Sequence, residues 1–342
     1  MSADAAPRGG STAPEIADAA ERLHNGELVA FPTETVYGLG ADARNPAALR
    51  RVFALKQRPR SHPLIVHLLS VEQLRNWVAA WPSAAAALAS AFWPGPLTLV
   101  LPRAPAVPDL VTGGQDTVAV RVPSHPVARA LLAAFGGGIA APSANRYGHV
   151  SPTCAQHVRD EFGAELPCVL DGGDSEWGLE SAIVACLAGP PRLLRPGSIG
   201  ADRLRAVVPG LEQGADAASP RVSGSTLAHY SPGTPLRLVP AARLAERAAA
   251  IVAARGSVAV LARAPNPQAL AGVHWQAGGE SPEAFAHGLY AALRALDRLG
   301  CGAILVEAPP PAADWDAVRD RLQRAAAGTP PDEDELAAGG LP

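Results

Sequence analysis

Apolar positions along the chain follow two alternating patterns, one with helical spacing and one made of short continuous runs. Ile16, Ala19 and Leu23 recur at the spacing of a helix face, and Gly26 predicts the end of that helix. Residues 28–31 follow as a short apolar run that is typical of a buried strand. Because this alternation of helix and strand continues along the chain, we predict an α/β protein with helices packed on open sheets.

A change of composition near residue 210 divides the chain into two parts. Residues 210–234 are rich in Gly, Ala, Ser and Pro and lack periodicity, which predicts a linker. The elements predicted after it alternate as in a small parallel α/β domain, without a glycine-rich phosphate loop, so no dinucleotide site is expected there. The predicted organisation is a disordered N-terminus (1–13), a larger domain (14–209), the linker (210–234), the smaller domain (235–330) and an acidic tail (331–342).

Bulk composition excludes several classes of function. A length of 342 residues suits two domains that each bury a core. The net charge of −3 provides no global basic field for nucleic acid or membrane, although a local basic groove is compatible with it. No apolar run reaches the length that spans a membrane, and the N-terminal residues lack the pattern of a signal peptide. We therefore expect a cytoplasmic protein.

The cysteines show none of the spacings that indicate metal or disulfide chemistry. The chain has four cysteines, without CxxC spacing and without histidine pairs nearby. This pattern favours reduced, buried thiols in a cytosolic protein. The sequence therefore predicts neither a zinc site nor a disulfide framework.

Lys56 is the single lysine among 29 basic residues, so every other cationic side chain is an arginine. Arginine can replace lysine at most solvated positions, but not where a compact ammonium must meet one point of a phosphate or carboxylate. Lys56 precedes Arg58 and Pro59 at the predicted end of a helix that is capped by Asn45. The alternative interpretation is chance retention on an exposed helix end, where the helix dipole also favours cations.

Polar side chains stand beside several short apolar strands. Residues 32–40 form a loop whose hydroxyls, single carboxylate and two glycines are not explained by packing. Arg121 lies in an apolar strand, on the same face as Thr117, and needs an anionic partner there. Ser143 and Asn145 project together from the loop after another strand. Such groups, gathered at strand ends, form a ligand crevice in an α/β sheet.

Two segments carry histidine or tyrosine side chains at positions where their role is not obvious. His67 interrupts the apolar run of residues 63–69, where a histidine is more often a satisfied core residue than a ligand. His229 and Tyr230 stand together before Pro232 in the predicted linker, and a linker that only spaces domains would not need them.

Taken in order, these motifs resemble the YrdC-like threonylcarbamoyl-AMP synthases in their two-domain form. The resemblance spans roughly residues 14–207 and continues weakly to the C-terminus. It implies a YrdC-like twisted open sheet with helices, followed by a smaller Rossmann-like parallel α/β domain. Each motif is weak alone, but their order and spacing together are specific. The motifs are residues 31–40, 56–59, 94–98, 119–123, 143–145, 195–197 and 229–232.

The resemblance implies a nucleotidyltransferase that makes threonylcarbamoyl-adenylate and pyrophosphate from L-threonine, bicarbonate and ATP. That adenylate supplies the tRNA threonylcarbamoyltransferase that modifies adenosine next to the anticodon, and tRNA or double-stranded RNA is left open as a direct partner. The implied cofactor is Mg²⁺ carried by ATP, without dedicated protein ligands. Because the adenylate is prone to hydrolysis, we expect a cover over the site, and Tyr230 is the candidate.

The same resemblance assigns site residues by motif position. Lys56 and Arg58 are the catalytic pair. Many relatives have Ser-Thr where this chain has Ser181-Ala182, so Ser181 is expected to act without a neighbouring hydroxyl. Ser151 and Thr153 are alternatives, because the choice depends on a loop of variable length. The L-threonine residues are Thr35, His67, Arg121, Ser143 and Ser181, and the ATP residues are Lys56, Arg58, His62, Thr117, Asn145, Ser151, Thr153, Arg195 and Tyr230.

Three other functions compete with the synthase. A carbamoyltransferase of the hydrogenase-maturation type would carry zinc-finger cysteine pairs and an acylphosphatase-like segment, and neither is recognisable in the sequence. A double-stranded RNA or tRNA-binding module would bind by shape and charge, with strong salt dependence and without ATP turnover. In a plain α/β scaffold, the polar strand ends would only cap neighbouring elements.

Overall fold

The computed structural model describes residues 10–266 and 270–329, which divide into two compact units. Within those residues the first unit comprises 10–147 and 151–225, and the second comprises 148–150, 226–266 and 270–329. The boundary between Ser225 and Thr226 falls inside the predicted linker, so that segment is divided between the units. Each unit is described by itself.

Residues 10–13 belong to the predicted disordered N-terminus but are ordered. The hydroxyl of Ser11 donates to the main-chain oxygen of Asp171 at 3.0 Å, and the first helix already begins at Ala13. Residues 10–13 are therefore ordered by a long-range contact that composition does not reveal. Residues 1–9 and the predicted tail of 331–342 lie outside the described residues.

Nine strands among the described residues of the first unit form one mixed sheet. They are β1 (Val29–Phe31), β2 (Gly38–Asp42), β3 (Ile65–His67), β4 (Leu97–Pro102), β5 (Thr117–Arg121), β6 (Ile139–Ala140), β7 (Ala182–Ala185), β8 (Arg192–Arg195) and β9 (Glu212–Gln213). Their order across the sheet is β1-β2-β6-β3-β5-β4-β7-β8-β9. The pairs β3–β5, β4–β7 and β8–β9 are parallel, and the other neighbours are antiparallel.

One helix of the first unit begins at the cap that the sequence predicts. The side chain of Asn45 accepts hydrogen bonds from the amides of Ala47 (2.9 Å) and Ala48 (3.2 Å), as predicted for an N-cap followed by proline. Short 3₁₀ helices cover Val71–Asn76 and Gly163–Glu165. The α-helices are α1 (Ala13–His24), α2 (Pro46–Lys56), α3 (Ser83–Phe92), α4 (Asp109–Thr112), α5 (Pro126–Phe135), α6 (Ala155–Phe162) and α7 (Ala201–Val207).

Alternation along the central strands gives the sheet one wholly apolar face and one face with polar positions. Val66, Leu99 and Val120 belong to the largest hydrophobic cluster of this unit. The residues next to them in sequence, Ile65, Val100 and Ala119, belong to a small cluster. The small cluster contains Val222, from the segment predicted as linker. Because side chains alternate with period two, the polar positions that follow fall on the face of the small cluster. That cluster comprises Ile65, Val100, Ala119, Ile183, Ala185 and Val222.

The second unit is a parallel α/β layer, in agreement with the predicted smaller domain. Its four described strands, β10 (Leu236–Val239), β11 (Val258–Ala262), β12 (Val273–Ala277) and β13 (Ile304–Glu307), are arranged in the order β10-β13-β11-β12, with parallel neighbours. Its helices are α8 (Leu244–Arg255), α9 (Pro282–Asp297) and α10 (Asp316–Ala326), with 3₁₀ turns at Ala241–Arg243 and Ala313–Trp315. In the described part of the chain, every helix is too short or too polar to cross a lipid bilayer.

Candidate functional site

The site begins with an unusual set of buried cations. Among the described residues of the first unit, the buried lysine and arginine side chains are Lys56, Arg58, Arg121 and Arg195, exposed by 1, 6, 3 and 3%. All four are among the site residues predicted from the sequence. Since a buried cation is costly unless it is paired and hydrogen-bonded, their shared burial indicates a purpose other than packing.

Lys56 ends α2 inside the protein and not on its surface. Its ammonium group donates to the main-chain oxygens of Ser143 and Asn145. The helix is stopped by Gln57, whose φ of 55° lies in the left-handed region. Burial, and next the charge of Arg58, lower the pKa of Lys56 well below its ordinary value. The alternative of an exposed helix end is therefore wrong.

Arg58 and Arg195 meet at Ser223. Arg195 Nη1 donates to the main-chain oxygen of Ser223 at 2.8 Å, and Arg58 Nη2 lies 3.4 Å from the Ser223 hydroxyl. Arg195 also donates twice to the main-chain oxygen of Ser181, at 2.9 and 3.2 Å. Arg58 has a further acceptor in the Pro63 carbonyl at 3.0 Å. Ser223 thus joins two predicted ATP residues, and Arg195 connects them to Ser181, a predicted threonine residue.

Arg121 ends β5 with its guanidinium group distributed over three acceptors. Nη1 donates to the Thr35 hydroxyl at 2.8 Å, and Nε donates to the Gly95 carbonyl at 3.2 Å. Nη2 lies 2.7 Å from a carboxylate oxygen of Glu34, which is itself only 2% exposed. Burial raises the pKa of Glu34, but the charge and contact of Arg121, together with the backbone amides of Glu34 and Ser124, hold that pKa below its ordinary value. The anionic partner predicted for Arg121 is therefore supplied first by the protein.

His67 is the neighbour of Arg121 across the parallel pair β3–β5. Its ring meets Phe31 edge to face, with 6.0 Å between centroids. Burial, followed by the charge of Arg121, lowers the pKa of His67 to about 3, so the ring is neutral at physiological pH. Its Nδ1 has no hydrogen-bond partner within the described part of the chain. His67 is thus buried like a core residue, but it retains an unused polar atom.

Ser181 has a neighbouring hydroxyl in the fold, although the next residue in the chain is an alanine. The Thr98 hydroxyl lies 2.8 Å from the Ser181 hydroxyl, and both residues are buried. Gly197 makes this arrangement possible, because a Cβ there would lie 2.1 Å from the amide nitrogen of Ala182. The expectation that Ser181 acts without such a neighbour is therefore corrected by a contact from β4.

The sheet register explains why these residues meet. Arg195 lies opposite Ile183 in the β7–β8 pair, and Ile183 belongs to the small cluster. Positions two residues from members of that cluster share its face. By this rule the predicted common face of Thr117 and Arg121 is confirmed, and the half-buried Thr117 begins β5. The residues on this face are His67, Thr98, Thr117, Arg121, Ser181 and Arg195.

The loop after β6 supplies Ser143 and Asn145. Ser143 bridges to Gly38 as an antiparallel partner, which joins this loop to the first residue of β2, directly after the polar residues 32–37. Asn145 is fully buried, and its amide nitrogen donates to the Arg146 carbonyl at 2.8 Å. Tyr147 follows, and its amide donates to the Lys56 carbonyl at 2.8 Å. Lys56 is therefore held to this loop from both its side chain and its main chain.

The remaining predicted nucleotide residues of the first unit are also held by polar contacts. His62 faces Tyr147, with 3.3 Å between its Nδ1 and the phenolic oxygen, and burial and Arg58 lower its pKa. The Ser151 hydroxyl donates to Glu180 at 2.6 Å. The Thr153 hydroxyl lies 3.3 Å from His157 Nδ1. Both hydroxyls are engaged and buried, so the geometry does not favour one alternative over the other.

Tyr230 belongs to the second unit, where it is 1% exposed. Its ring stacks on Tyr290 with 5.7 Å between centroids, and the Arg321 guanidinium lies 5.4 Å from the ring centroid. Its φ of 61° is uncommon for a residue with a side chain. His229 packs against it at 4.2 Å. The assignment of Tyr230 to ATP stays a prediction.

Comparisons with known proteins identify the family of this chain. Residues 21–197 match the Sua5, YciO and YrdC family model described as "Telomere recombination". Residues 199–327 match the model described as "Threonylcarbamoyl-AMP synthase, C-terminal domain". The chain belongs to the threonylcarbamoyl-AMP synthase family. The resemblance identified from the motifs is thereby confirmed over nearly the whole chain.

Relatives in this family match over most of their own length. The threonylcarbamoyl-AMP synthase of Pyrococcus abyssi is 38% identical over 325 residues, which cover 91% of this chain and 94% of that protein. The synthase of Bacillus subtilis is 38% identical over 327 residues, covering 92% and 94%. The crystal structure of Pyrococcus abyssi Sua5 complexed with L-threonine superposes with a TM-score of 0.86 at 37% identity, covering 93% of this chain and 96% of that one.

Three residues of the candidate site were not predicted from the sequence. Glu34 was noticed only as the carboxylate of a polar loop, and Thr98 only as part of a quoted motif. Ser223 lay in the predicted linker without any distinguishing pattern. For Glu34, the one available signal was that it is the single carboxylate of a polar loop. The other two depend on contacts between distant parts of the chain.

Proposed function

We propose that L-threonine binds beside Arg121 and that ATP binds beside Lys56, Arg58 and Arg195. The observation that carries this assignment is a charge imbalance. Among the described buried residues of the first unit, four cationic side chains face only two carboxylates, those of Glu34 and Glu180. Buried charge of one sign calls for a counter-charge, and a carboxylate plus a triphosphate provide it.

The family membership assigns the reaction. The enzyme makes L-threonylcarbamoyladenylate from L-threonine, bicarbonate and ATP, with release of pyrophosphate, for threonylcarbamoyl-adenosine modification of tRNA. The reaction needs an amino-acid carboxylate held firmly and a triphosphate neutralised nearby. Both demands match the two groups of buried cations in this unit.

For threonine, the site offers the guanidinium group of Arg121 as a donor and the neutral ring of His67 as a hydrogen-bonding group. The fork geometry of Arg121 suits a carboxylate. The unused Nδ1 of the neutral His67 ring is suited to the threonine hydroxyl. Reading that hydroxyl discriminates against analogues that lack it, because a buried polar group would be left unpaired. Ser143 and the Thr98–Ser181 hydroxyl pair complete the polar surroundings.

For ATP, catalysis consists mainly of positioning and charge neutralisation. The threonine amine attacks bicarbonate to form a carbamate, whose oxygen attacks the α-phosphate while pyrophosphate leaves. Lys56, Arg58 and Arg195 face charge that moves towards the leaving pyrophosphate. An incoming polyphosphate also reverses the effect that lowers the pKa of Lys56, since an anion favours its charged form.

Magnesium enters this proposal as part of the substrate MgATP. No group of three or more His, Cys, Asp or Glu side chains that could hold a metal occurs among residues 10–266 and 270–329. Magnesium commonly retains waters and binds through substrate phosphates, so the shortage of carboxylates is compatible with this role. The product adenylate is handed to a downstream tRNA threonylcarbamoyltransferase.

Pyrophosphate release from ATP tests the proposal. The purified full chain is assayed with and without bicarbonate, and with L-threonine, L-serine, L-valine or no amino acid. We expect release that requires both bicarbonate and L-threonine. Release without either requirement, or none under any condition, would contradict the proposal. Salt-sensitive RNA binding without turnover would favour the RNA-binding module.

A further inference from the structure

The hydroxyl groups of the loop before β2 have a fixed direction of hydrogen bonding. The Thr33 hydroxyl donates to the main-chain oxygen of Val36 at 2.6 Å, because a carbonyl can only accept. The single hydroxyl proton of Thr33 is then used, and Thr33 can only accept further hydrogen bonds. In the contact of 2.8 Å between the Thr33 and Thr35 hydroxyls, Thr35 is therefore the donor. The proton of Thr35 is used within the loop.

Thr35 can consequently offer a ligand only a lone pair. Its oxygen already accepts from Arg121 Nη1 at 2.8 Å, and its proton points at Thr33. A hydroxyl oxygen has two lone pairs, so one acceptor position is left. A ligand group placed against Thr35 must therefore be a donor.

Glu34, the preceding residue, adds a second acceptor. Its carboxylate is 2% exposed, and within the described part of the chain neither oxygen has a hydrogen-bond partner. Arg121 Nη2 approaches to 2.7 Å as an ion pair but is not aligned for a hydrogen bond. The backbone amides of Glu34 and Ser124 lie near enough to lower its pKa, but among the described residues no well-aligned donor holds the carboxylate, so its lone pairs are open to a further donor.

These acceptors lie beside the donor fork of Arg121. An amino acid carries a carboxylate and an ammonium group on the same carbon, so it needs a donor and an acceptor side by side. We propose that Glu34, together with the Thr35 oxygen, receives the α-ammonium group of L-threonine, and that Glu34 takes one proton from it. This proposal rests on the synthase function proposed above.

The proton step balances as follows. The N–H bond of the ammonium breaks, its electron pair stays on nitrogen, and the proton passes to the Glu34 carboxylate. The free amine then attacks the carbon of bicarbonate. The new C–N bond forms, the C–OH bond breaks, and the hydroxyl leaves as water with a second amine proton. The products are the carbamate, water and protonated Glu34, which returns its proton to solvent.

Threonine itself would adjust Glu34 for this task. In the unliganded site the charge of Arg121 holds the pKa of Glu34 below its ordinary value, against the opposing effect of burial. A threonine carboxylate on Arg121 offsets that charge, and once the ammonium group has given up its proton, burial favours the protonated form of Glu34. His67 is a poorer candidate base, because burial and Arg121 lower its pKa to about 3.

The test compares the wild-type chain with Glu34→Gln, which keeps the shape and removes the charge. Pyrophosphate release is measured at saturating ATP and bicarbonate, with varied L-threonine and pH. We expect kcat to fall by about 10²- to 10⁴-fold, the usual contribution of a general base. We also expect the kcat of the variant to rise tenfold per pH unit near neutrality, because solvent must now deprotonate the amine. The wild type lacks this steep dependence.

A binding measurement keeps the test decisive if the variant does not fold. Calorimetry on the wild type compares L-threonine with 3-hydroxybutanoate, which lacks the ammonium group. We expect at least tenfold weaker binding of the analogue, and equal binding of both compounds would overturn the proposal. In a folded Glu34→Gln protein, a raised KM for L-threonine with unchanged kcat and pH profile would overturn the proton transfer, as it indicates that Glu34 only binds the ammonium group.

Glu307→Gln is the matched control. Glu307 is another buried carboxylate paired with an arginine, Arg263, but it lies in the second unit. We expect wild-type kcat and pH dependence from it, and a loss equal to that of Glu34→Gln would overturn the proposal. Failure of the synthase function is distinguishable, because the wild type itself would then show no release that depends on threonine and bicarbonate.

Discussion

The ammonium group of Lys56 donates a 2.5 Å hydrogen bond to the main-chain oxygen of Ser143. This bond ties the end of α2 to the loop that also carries Asn145, 89 residues further along the chain than Lys56. The only lysine of the protein is thus part of the wall of the site in which we expect it to act. An arginine cannot replace it there, because a planar fork does not fit where a compact ammonium meets two carbonyls.

Lys56→Met should abolish most of the synthase activity. The substitution keeps the aliphatic stem and removes the ammonium group. We expect pyrophosphate release to fall by about 10²- to 10³-fold, as for the loss of one group that stabilises developing charge. Lys56→Arg should not rescue it. The control is Arg255→Met, which changes an exposed cation at the end of another helix, and it should leave turnover unchanged. Normal turnover in Lys56→Met would remove Lys56 from the site.

The Arg121–Glu34 pair should show strong coupling in stability. Arg121→Met leaves the Glu34 carboxylate buried without its cation, which costs about 3–5 kcal/mol of unfolding free energy. Adding Glu34→Gln removes the stranded charge, so the double variant should regain most of that loss. Urea unfolding of the four proteins measures the coupling. Strictly additive losses would show that the pair does not interact.

The same pair predicts how the stability of Arg121→Met relative to wild type changes with pH. In the wild type the pKa of Glu34 is lowered from 4.5, so its contribution is present above pH 4.5 and is lost as the pH falls through the lowered value. In Arg121→Met, burial alone raises that pKa. The variant should then gain stability relative to wild type as the pH falls from neutral, and a constant difference would contradict this.

His67 should stay neutral over the whole physiological range. Its pKa is lowered from 6.5 to about 3, so the unfolded chain binds more protons between these values. The unfolding free energy should therefore fall as the pH drops from 6.5 towards 3, by up to about 1.4 kcal/mol per pH unit from this residue. His67→Gln should flatten that slope, whereas changing the exposed His274 should not. An NMR signal of His67 that titrates near pH 6.5 would refute the expectation.

Local patterns in the sequence predicted local structure well. Asn45 and Pro46 correctly predicted the start of α2, and the period-two pattern of β5 placed Thr117 and Arg121 on one face. The reason is that caps and alternation depend on neighbours within a few residues. Polar residues at strand ends and in loops can therefore be recognised from the sequence without knowing their partners in the fold.

Long-range partners could not be predicted in the same way. Arg58 and Ser223 are 165 residues apart, and Arg121 and Thr35 are 86 apart. Their meeting depends on sheet order, which places β3 beside β5 although β4 lies between them in the chain. Ser223 was assigned to a linker because its segment has no periodicity, yet Val222 beside it packs into the small cluster of the sheet. Such segments are ordered by tertiary contacts and not by their own pattern.

The Thr98–Ser181 hydroxyl pair predicts a specific effect on threonine binding. Thr98→Val keeps the volume but removes the hydroxyl 2.8 Å from that of Ser181, which leaves Ser181 free to turn away from the ligand. We expect KM for L-threonine to rise about 2- to 12-fold, corresponding to one hydrogen bond of about 0.5–1.5 kcal/mol, with kcat little changed. Thr98→Ser restores the hydroxyl and should restore KM. Steady-state kinetics with varied threonine measure both variants, and an equal loss in Thr98→Ser would indicate packing of the methyl group instead.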